Sequence, residues 1–282
     1  MVRYDAAVLE RVAQRFRRDM WESVVPEAVT ESGVEVARFG PIQATAFGDL
    51  PEVSLLQHIQ GAAEPGAISG GHLAEAVEWM RAREVDYRIP ISAGRPGAEE
   101  AAAWLGVRGY EQGGGLKKLV RDGSPSDLAV PEGVVVRKLG QDESEGEGLS
   151  TIAAEALDLP PTVATLFFSL PQASGWHCYT AALGPDEPPI ATGSMLIDDG
   201  VAQLGPGTTL EHGRGHGCHA AILHRRLVDA SLAGCHTIFV EVGEYPPAMM
   251  AGLCQNYFRA GFEEAYESKN WQRPALHPAR VY

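Results

Sequence analysis

"RGHGCHAAILHRRL", residues 214–227, sets glycines at 215 and 217 directly ahead of a run with apolar positions at Ala221, Ile222 and Leu227. That run has the spacing of an amphipathic helix. A helix start leaves its first N–H groups without intrahelical partners, and the aligned peptide dipoles place roughly half a positive charge there. Glycine admits positive φ and lets the main chain come close to an anion. A turn this poor in side chains is therefore read as a phosphate site, with Arg214 able to add charged contacts. The same composition also serves a plain tight turn, so the context must decide.

Upstream lie the strand candidates "WHCYTAAL" (176–183), "PIATGSMLI" (189–197) and "VAQLG" (201–205), the last two joined by the turn "DDG". Before them come the strand "VVVRKL" (134–139) and helical stretches around 143–157 and 161–170. Downstream, the helix is followed by the strand "HTIFVEV" (236–242), a second helix ending near Ala260, and "GF" at 261–262. Antiparallel strands leading into a helix–strand–helix unit predict an α+β or α/β fold, a mixed, mostly antiparallel sheet flanked by helices. The first half repeats the order with a helix over 73–83, the strand "VDYRIPIS" (85–92), a helix over 98–107, "GY" at 109–110 and "LKKLV". The chain is read as an internal duplication, with domains over 1–122 and 134–282 and a polar, proline-broken linker over 123–133. The region before residue 70 gives no clear pattern.

The net charge of −14 is uneven: residues 122–282 carry 20 acidic side chains against 9 basic ones. Nucleic acid is excluded as a partner on that surface, and a cationic substrate is favoured over an anionic one. No stretch approaches the ~20 apolar residues that would cross a bilayer. The first 25 residues, with Arg11, Arg15, Arg17 and Arg18, lack an unbroken apolar core, so a cytoplasmic location without membrane attachment is expected. Cys178, Cys218, Cys235 and Cys254 form no CxxC pair and are read as buried thiols. The five tryptophans sit in apolar or amphipathic runs and are read as packing residues.

Residues 201–271 resemble the core of the GCN5-related N-acetyltransferase superfamily, whose signature Arg/Gln-x-x-Gly-x-Gly/Ala opens a helix after a strand. Arg214, Gly217 and His219 take the three signature positions, and Tyr257–Phe258–Arg259–Ala260–Gly261–Phe262 matches the family's Tyr-x-x-x-Gly-Phe. His219 replaces the usual small residue, and Met250 stands where an asparagine is common. A shifted register, His212–Gly215–Gly217, restores the small residue and loses the arginine. The whole chain resembles a tandem member with a degenerate first half, in which Leu105 stands where Tyr257 stands in the second.

The resemblance implies acetyl-CoA, or another acyl-CoA, as donor and a small amine as acceptor, with no metal. Gly215, His216, Gly217, Cys218 and His219 would hold the pyrophosphate with Arg214. Main-chain groups of Gly207, Thr208 and Thr209 would meet the pantetheine arm and thioester where the fourth strand splays from the fifth. Pro206 has no N–H to offer. Tyr257 would protonate the departing thiolate. The base is left among Glu244, Glu241 and Glu211. His212, His216, His219 and His224 lack the supporting ligand set that zinc requires. A homodimer is compatible with this reading. Two rivals stay open: a non-catalytic acyl-CoA-binding or regulatory protein, and a turn that holds another phosphate ligand such as a nucleotide.

Overall fold

The computed structural model describes residues 2–22, 33–50, 57–140, 143–157, 170–243 and 254–275. Along the chain run α1 (Ala6–Glu22), β1 (Val34–Phe39), β2 (Ile42–Phe47), β3 (His58–Gln60), α2 (His72–Arg81), β4 (Ile89–Ser92), α3 (Ala98–Val107) and β5 (Glu111–Asp122). They are followed by β6 (Val135–Lys138), α4 (Glu143–Leu157), β7 (Trp176–Ala182), β8 (Ala191–Asp198), β9 (Val201–Thr209), α5 (Cys218–Leu232), β10 (Thr237–Gly243) and β11 (Glu263–Gln272). Residues 254–259 are also helical. The same succession of helix, strand, helix and strand thus occurs twice, from α2 to β5 and from α5 to β11.

The chain divides into two compact units. One joins α1 to the described residues between Leu119 and Ala265; the other comprises those between Gly33 and Lys118 and those after Ala265. Residues 124–131 are irregular and fall inside the first unit.

In the first unit the strands run in the order β5, β10, β9, β8, β7, β6. β6, β7, β8 and β9 pair antiparallel in turn, and β10 joins β9 in parallel. The expected mixed, mostly antiparallel sheet is therefore present. α5 packs across β7, β8 and β9 and buries Ile222, Leu223, Leu227 and Ala230. These share a core with Leu119, Tyr179, Met195, Leu204, Ile238 and Phe262. Each such aliphatic side chain contributes about 1.5–3 kcal/mol on burial, an upper figure because the unfolded chain is itself partly collapsed.

α1 follows from its own pattern. Leu9, Val12, Ala13, Phe16 and Met20 recur every three or four residues and are buried. The Asp5 carboxylate caps the start by accepting from the Ala7 amide at 2.8 Å. The helix lies against β9. Arg15 reaches Asp198 at 2.7 Å, and Phe16 packs on Trp176 with ring centroids 4.7 Å apart.

In the second unit β1, β2 and β3 form an antiparallel sheet, and β11 lies between β4 and β5. The core holds Ile42, Ile59, Leu73, Met80, Ile89 and Leu105. β5 and β11 approach so closely that a Cβ on Gly115 would stand 1.8 Å from the Ser268 carbonyl oxygen. Gly115→Ala is expected to cost more than about 2 kcal/mol through broken strand pairing, read as a lower urea midpoint.

Three expectations change in detail. The strand expected over 85–92 is confined to Ile89–Ser92, because Val85 to Tyr87 join no ladder. β9 does not end at Gly205 but runs to Thr209, held by β8. Of the helix expected over 161–170, only a 3₁₀ turn at Leu170–Gln172 falls within the described residues.

Candidate functional site

β9 and β10 pair from Val201↔Thr237 to Leu204↔Val240 and no further. Beyond that point β9 continues to Thr209 against β8 alone, while β10 continues to Gly243. The two strands thus part company midway, leaving one side of β9 without a ladder among the described residues. Successive residues of a strand turn their main-chain groups to opposite sides. The Leu210 amide donates to the Ile190 carbonyl at 2.9 Å, so Thr208 also faces β8. Gly207 and Thr209 then face the open side. The Thr208 hydroxyl is spent on Thr192 at 2.9 Å.

The departure of β9 is prepared by a bulge. Its register on β8 shifts between Gly193 and Met195. One side chain meets the displaced carbonyls: Arg226 Nη1 donates to Ser194 O at 3.0 Å and to Gly205 O at 3.1 Å. Arg226 projects from α5 and is fully buried. A Cβ on Gly193 would stand 2.6 Å from Ile222 Cγ2, so the glycine lets α5 lie close against β8. Arg226 Nε and Nη2 have no hydrogen-bond acceptor among the described residues. Burial pulls its pKa down, and the phenols of Tyr257 and Tyr179 are the neighbours that push it back up.

The glycine turn ends β9. A 3₁₀ turn, Glu211–Gly213, leads to Gly215 and Gly217, both at φ +83°, and α5 begins at Cys218. Gly217 is the residue before the helix and has no side chain to cap it. The Gly213 and Arg214 amides bond back to Leu210 and Glu211, and the Ala221 amide to Gly217. Those of residues 215–219 meet no protein acceptor among the described residues, and Gly215 and His216 are exposed. Arg214 is exposed too and donates to Thr209 O at 3.4 Å, which bridges the turn and the open strand. His216 Nδ1 lies 3.1 Å from the Arg214 carbonyl.

Tyr257 stands on the helical stretch 254–259 and is buried. It packs edge-on to Phe262 at 5.4 Å and to His219 at 5.9 Å. The His219 ring therefore turns inward, away from the turn, with Asn256 3.4 Å from its Nδ1. Burial, reinforced by Arg226, drives its pKa down to about 4. The unfolded chain takes up that proton near ~6.5. The depressed value thus adds stability that is complete above pH ~6.5 and is lost as pH falls towards 4, about 3 kcal/mol in all. His219→Leu is expected to flatten the fall in urea midpoint between pH 6.5 and 4; an unchanged slope would contradict the assignment.

The remaining candidates are scattered. Glu241 lies on β10, and its Oε2 accepts from Arg17 and, at 3.3 Å, from Gln203. Glu211 is exposed, whereas Glu244 and Met250 lie outside the described residues. Cys178, Cys218 and Cys235 are buried, and Cys178 is pushed up to about 12, which keeps it a thiol. Among the described residues no three His, Cys, Asp or Glu side chains gather as a metal site. No helix among them is long and apolar enough to cross a membrane. Arg226 is not legible in the sequence because an arginine beside Arg225 in an amphipathic helix resembles a solvent-facing residue.

No family model and no curated protein matches the chain. Solved structures do. A GCN5-related N-acetyltransferase from Kribbella flavida superposes with a TM-score of 0.61 at 18% identity, over 93% of this chain and 96% of the other. One from Sphaerobacter thermophilus gives 0.61 at 15% identity, over 86% and 80%. A tandem GNAT protein from the clavulanic acid biosynthesis pathway gives 0.59 at 15%, over 85% and 79%. With the parted strands and the glycine turn, these superpositions identify the architecture: the chain has the fold of the GCN5-related N-acetyltransferases.

Proposed function

We propose that the chain is an acyl-CoA-dependent N-acyltransferase that moves an acetyl group from acetyl-CoA to a small amine within a ternary complex. One observation carries the reading. The side of β9 that leaves β10 leads directly into a glycine turn whose amides have no protein acceptor among the described residues. A pantetheine arm needs the first and a pyrophosphate the second.

Amides 215–219 and Arg214 would hold the pyrophosphate. The main-chain groups of Gly207 and Thr209 would receive the arm and the thioester oxygen. Preorganised donors at a developing oxyanion contribute about 3–4 kcal/mol where measured. The amine nitrogen attacks the thioester carbon, and the carbonyl electrons move to oxygen. As the C=O bond re-forms, the C–S bond breaks and the sulfur takes the Tyr257 proton. The Arg226 guanidinium, packed against that phenol, would favour the phenolate left behind. The nitrogen gives up its own proton to Glu244, which follows β10 in the sequence. Glu241 is the second choice, because its carboxylate is already paired with Arg17.

Incubation with acetyl-CoA and a panel of amines, followed by thiol release, tests this directly. Tyr257→Phe is expected to lower turnover about 10- to 100-fold with coenzyme A affinity unchanged, since a thiolate leaves fairly well without help. If that variant alters neither, the acid role is wrong. The Arg17–Glu241 pair favours one rival, a non-catalytic acyl-CoA binder. Tight binding with no thiol release for any amine would establish it. Competition by adenosine phosphates lacking pantetheine would point to a nucleotide instead.

A further inference from the structure

The second unit carries a cleft of about 240 Å³ lined by residues of α2 and α3 and by Arg273, which follows β11. Its chemistry is unlike the rest of a chain of net charge −14. Arg81 from α2, Arg108 from the end of α3 and Arg273 all line it, against the single carboxylate of Glu78. Trp104 and Tyr110 supply flat walls.

Each cation has an aromatic or carboxylate neighbour. The Arg108 guanidinium lies 3.8 Å from the centre of the Trp104 ring and donates to the Trp104 carbonyl at 3.2 Å. Arg273 lies 5.6 Å from the centre of Tyr110. Arg81 donates to Glu78 at 3.1 Å. The Tyr110 hydroxyl is fixed by Tyr87, oxygen to oxygen at 2.5 Å. The three guanidinium groups come from three parts of the chain, and Glu78 is the one carboxylate that lines the cleft with them. Planar guanidinium forks match the oxygens of a phosphate or carboxylate in pairs. The volume falls below the usual range for drug-sized ligands.

We propose that this cleft is a binding site for a small phosphate monoester, its dianion held by Arg81, Arg108 and Arg273 and its flat body laid against Trp104. The charge matches, because three guanidinium groups less one carboxylate leave two positive charges for a dianion. The site lies within the second unit, and its occupancy does not depend on acyl transfer.

Phenyl phosphate, inorganic phosphate and phenyl sulfate are the probes, titrated into the full chain by calorimetry at low salt. Phenyl phosphate is expected to bind about tenfold more tightly than either of the others, the ring adding contact that phosphate lacks and the second charge adding what sulfate lacks. The double variant Arg108→Gln/Arg273→Gln should weaken it at least 30-fold while keeping its thermal midpoint, both side chains being exposed. Arg214→Ala, at the glycine turn, should leave it unchanged and so separate this site from any coenzyme A site. No heat with phenyl phosphate, or full affinity in the double variant, would overturn the proposal. Equal affinity for phenyl and inorganic phosphate would overturn the flat-body assignment.

Discussion

Gly217→Val is expected to abolish coenzyme A binding and to lower stability by about 2–5 kcal/mol. Two costs add. At φ +83° a β-branched residue is an outlier, and the left-handed conformation alone costs about 1–2 kcal/mol. A Cβ there would also stand 2.3 Å from Pro131 Cγ, an overlap that costs about 1–3 kcal/mol to relieve. The shifted turn no longer points its amides at one place. Because lost folding could mimic lost binding, the neighbours supply the control. Gly215 has the same φ, but a Cβ there meets nothing within 4 Å. Gly215→Ala should therefore pay only the conformational cost and stay folded. Arg214→Ala should hold stability within about 0.5 kcal/mol and weaken coenzyme A about tenfold, through one lost charge-assisted contact. Calorimetric titration beside urea unfolding separates the cases. Folded Gly217→Val protein with unchanged affinity would end the cofactor assignment.

Arg226→Met is expected to cut turnover at least 100-fold while moving stability by no more than about 2 kcal/mol. The stability change is small because two effects oppose. Ser194 O and Gly205 O lose their donor, at about 1–3 kcal/mol for each buried group left unsatisfied. Against this, a fully buried guanidinium without a carboxylate partner among the described residues is removed, and its desolvation costs several kcal/mol. Activity has no such offset. The bulge between β8 and β9 loses its clamp, and in the acyl transfer proposed above the Tyr257 phenolate would lose its cation. A double-mutant cycle with Tyr257→Phe should show effects far from additive. Simple additivity would remove Arg226 from the chemistry and leave it a bulge clamp.

The elements that frame the candidate site were legible because their signals are local. A strand, a glycine turn and a helix occupy consecutive residues, and the spacing to Tyr257 and Gly261 fits one helix-strand-helix unit. What stayed hidden depends on partners far away in the chain. "VEVARF" and "IQATAF", six residues each around the Gly40–Pro41 turn, do form a hairpin, yet neither is long enough to declare itself against other readings. β9 looked finished at Gly205 because "GPGTT" is poor in β-formers, but β8 supplies the ladder that composition did not promise. The inward turn of His219 and the pairing of Glu241 with Arg17 are set by packing, which spacing alone does not encode.

α1 has a consequence for biosynthesis. Its Arg15 waits for Asp198, a separation of 183 residues, and both belong to the same compact unit. A ribosome adding about 5–20 residues per second needs roughly 10–40 s to cover that distance. Through this interval the nascent helix carries Leu9, Val12, Phe16 and Met20 with no sheet to cover them. A gene cut at the proline-rich connector would leave that greasy stripe homeless on one fragment and a bare strand surface on the other.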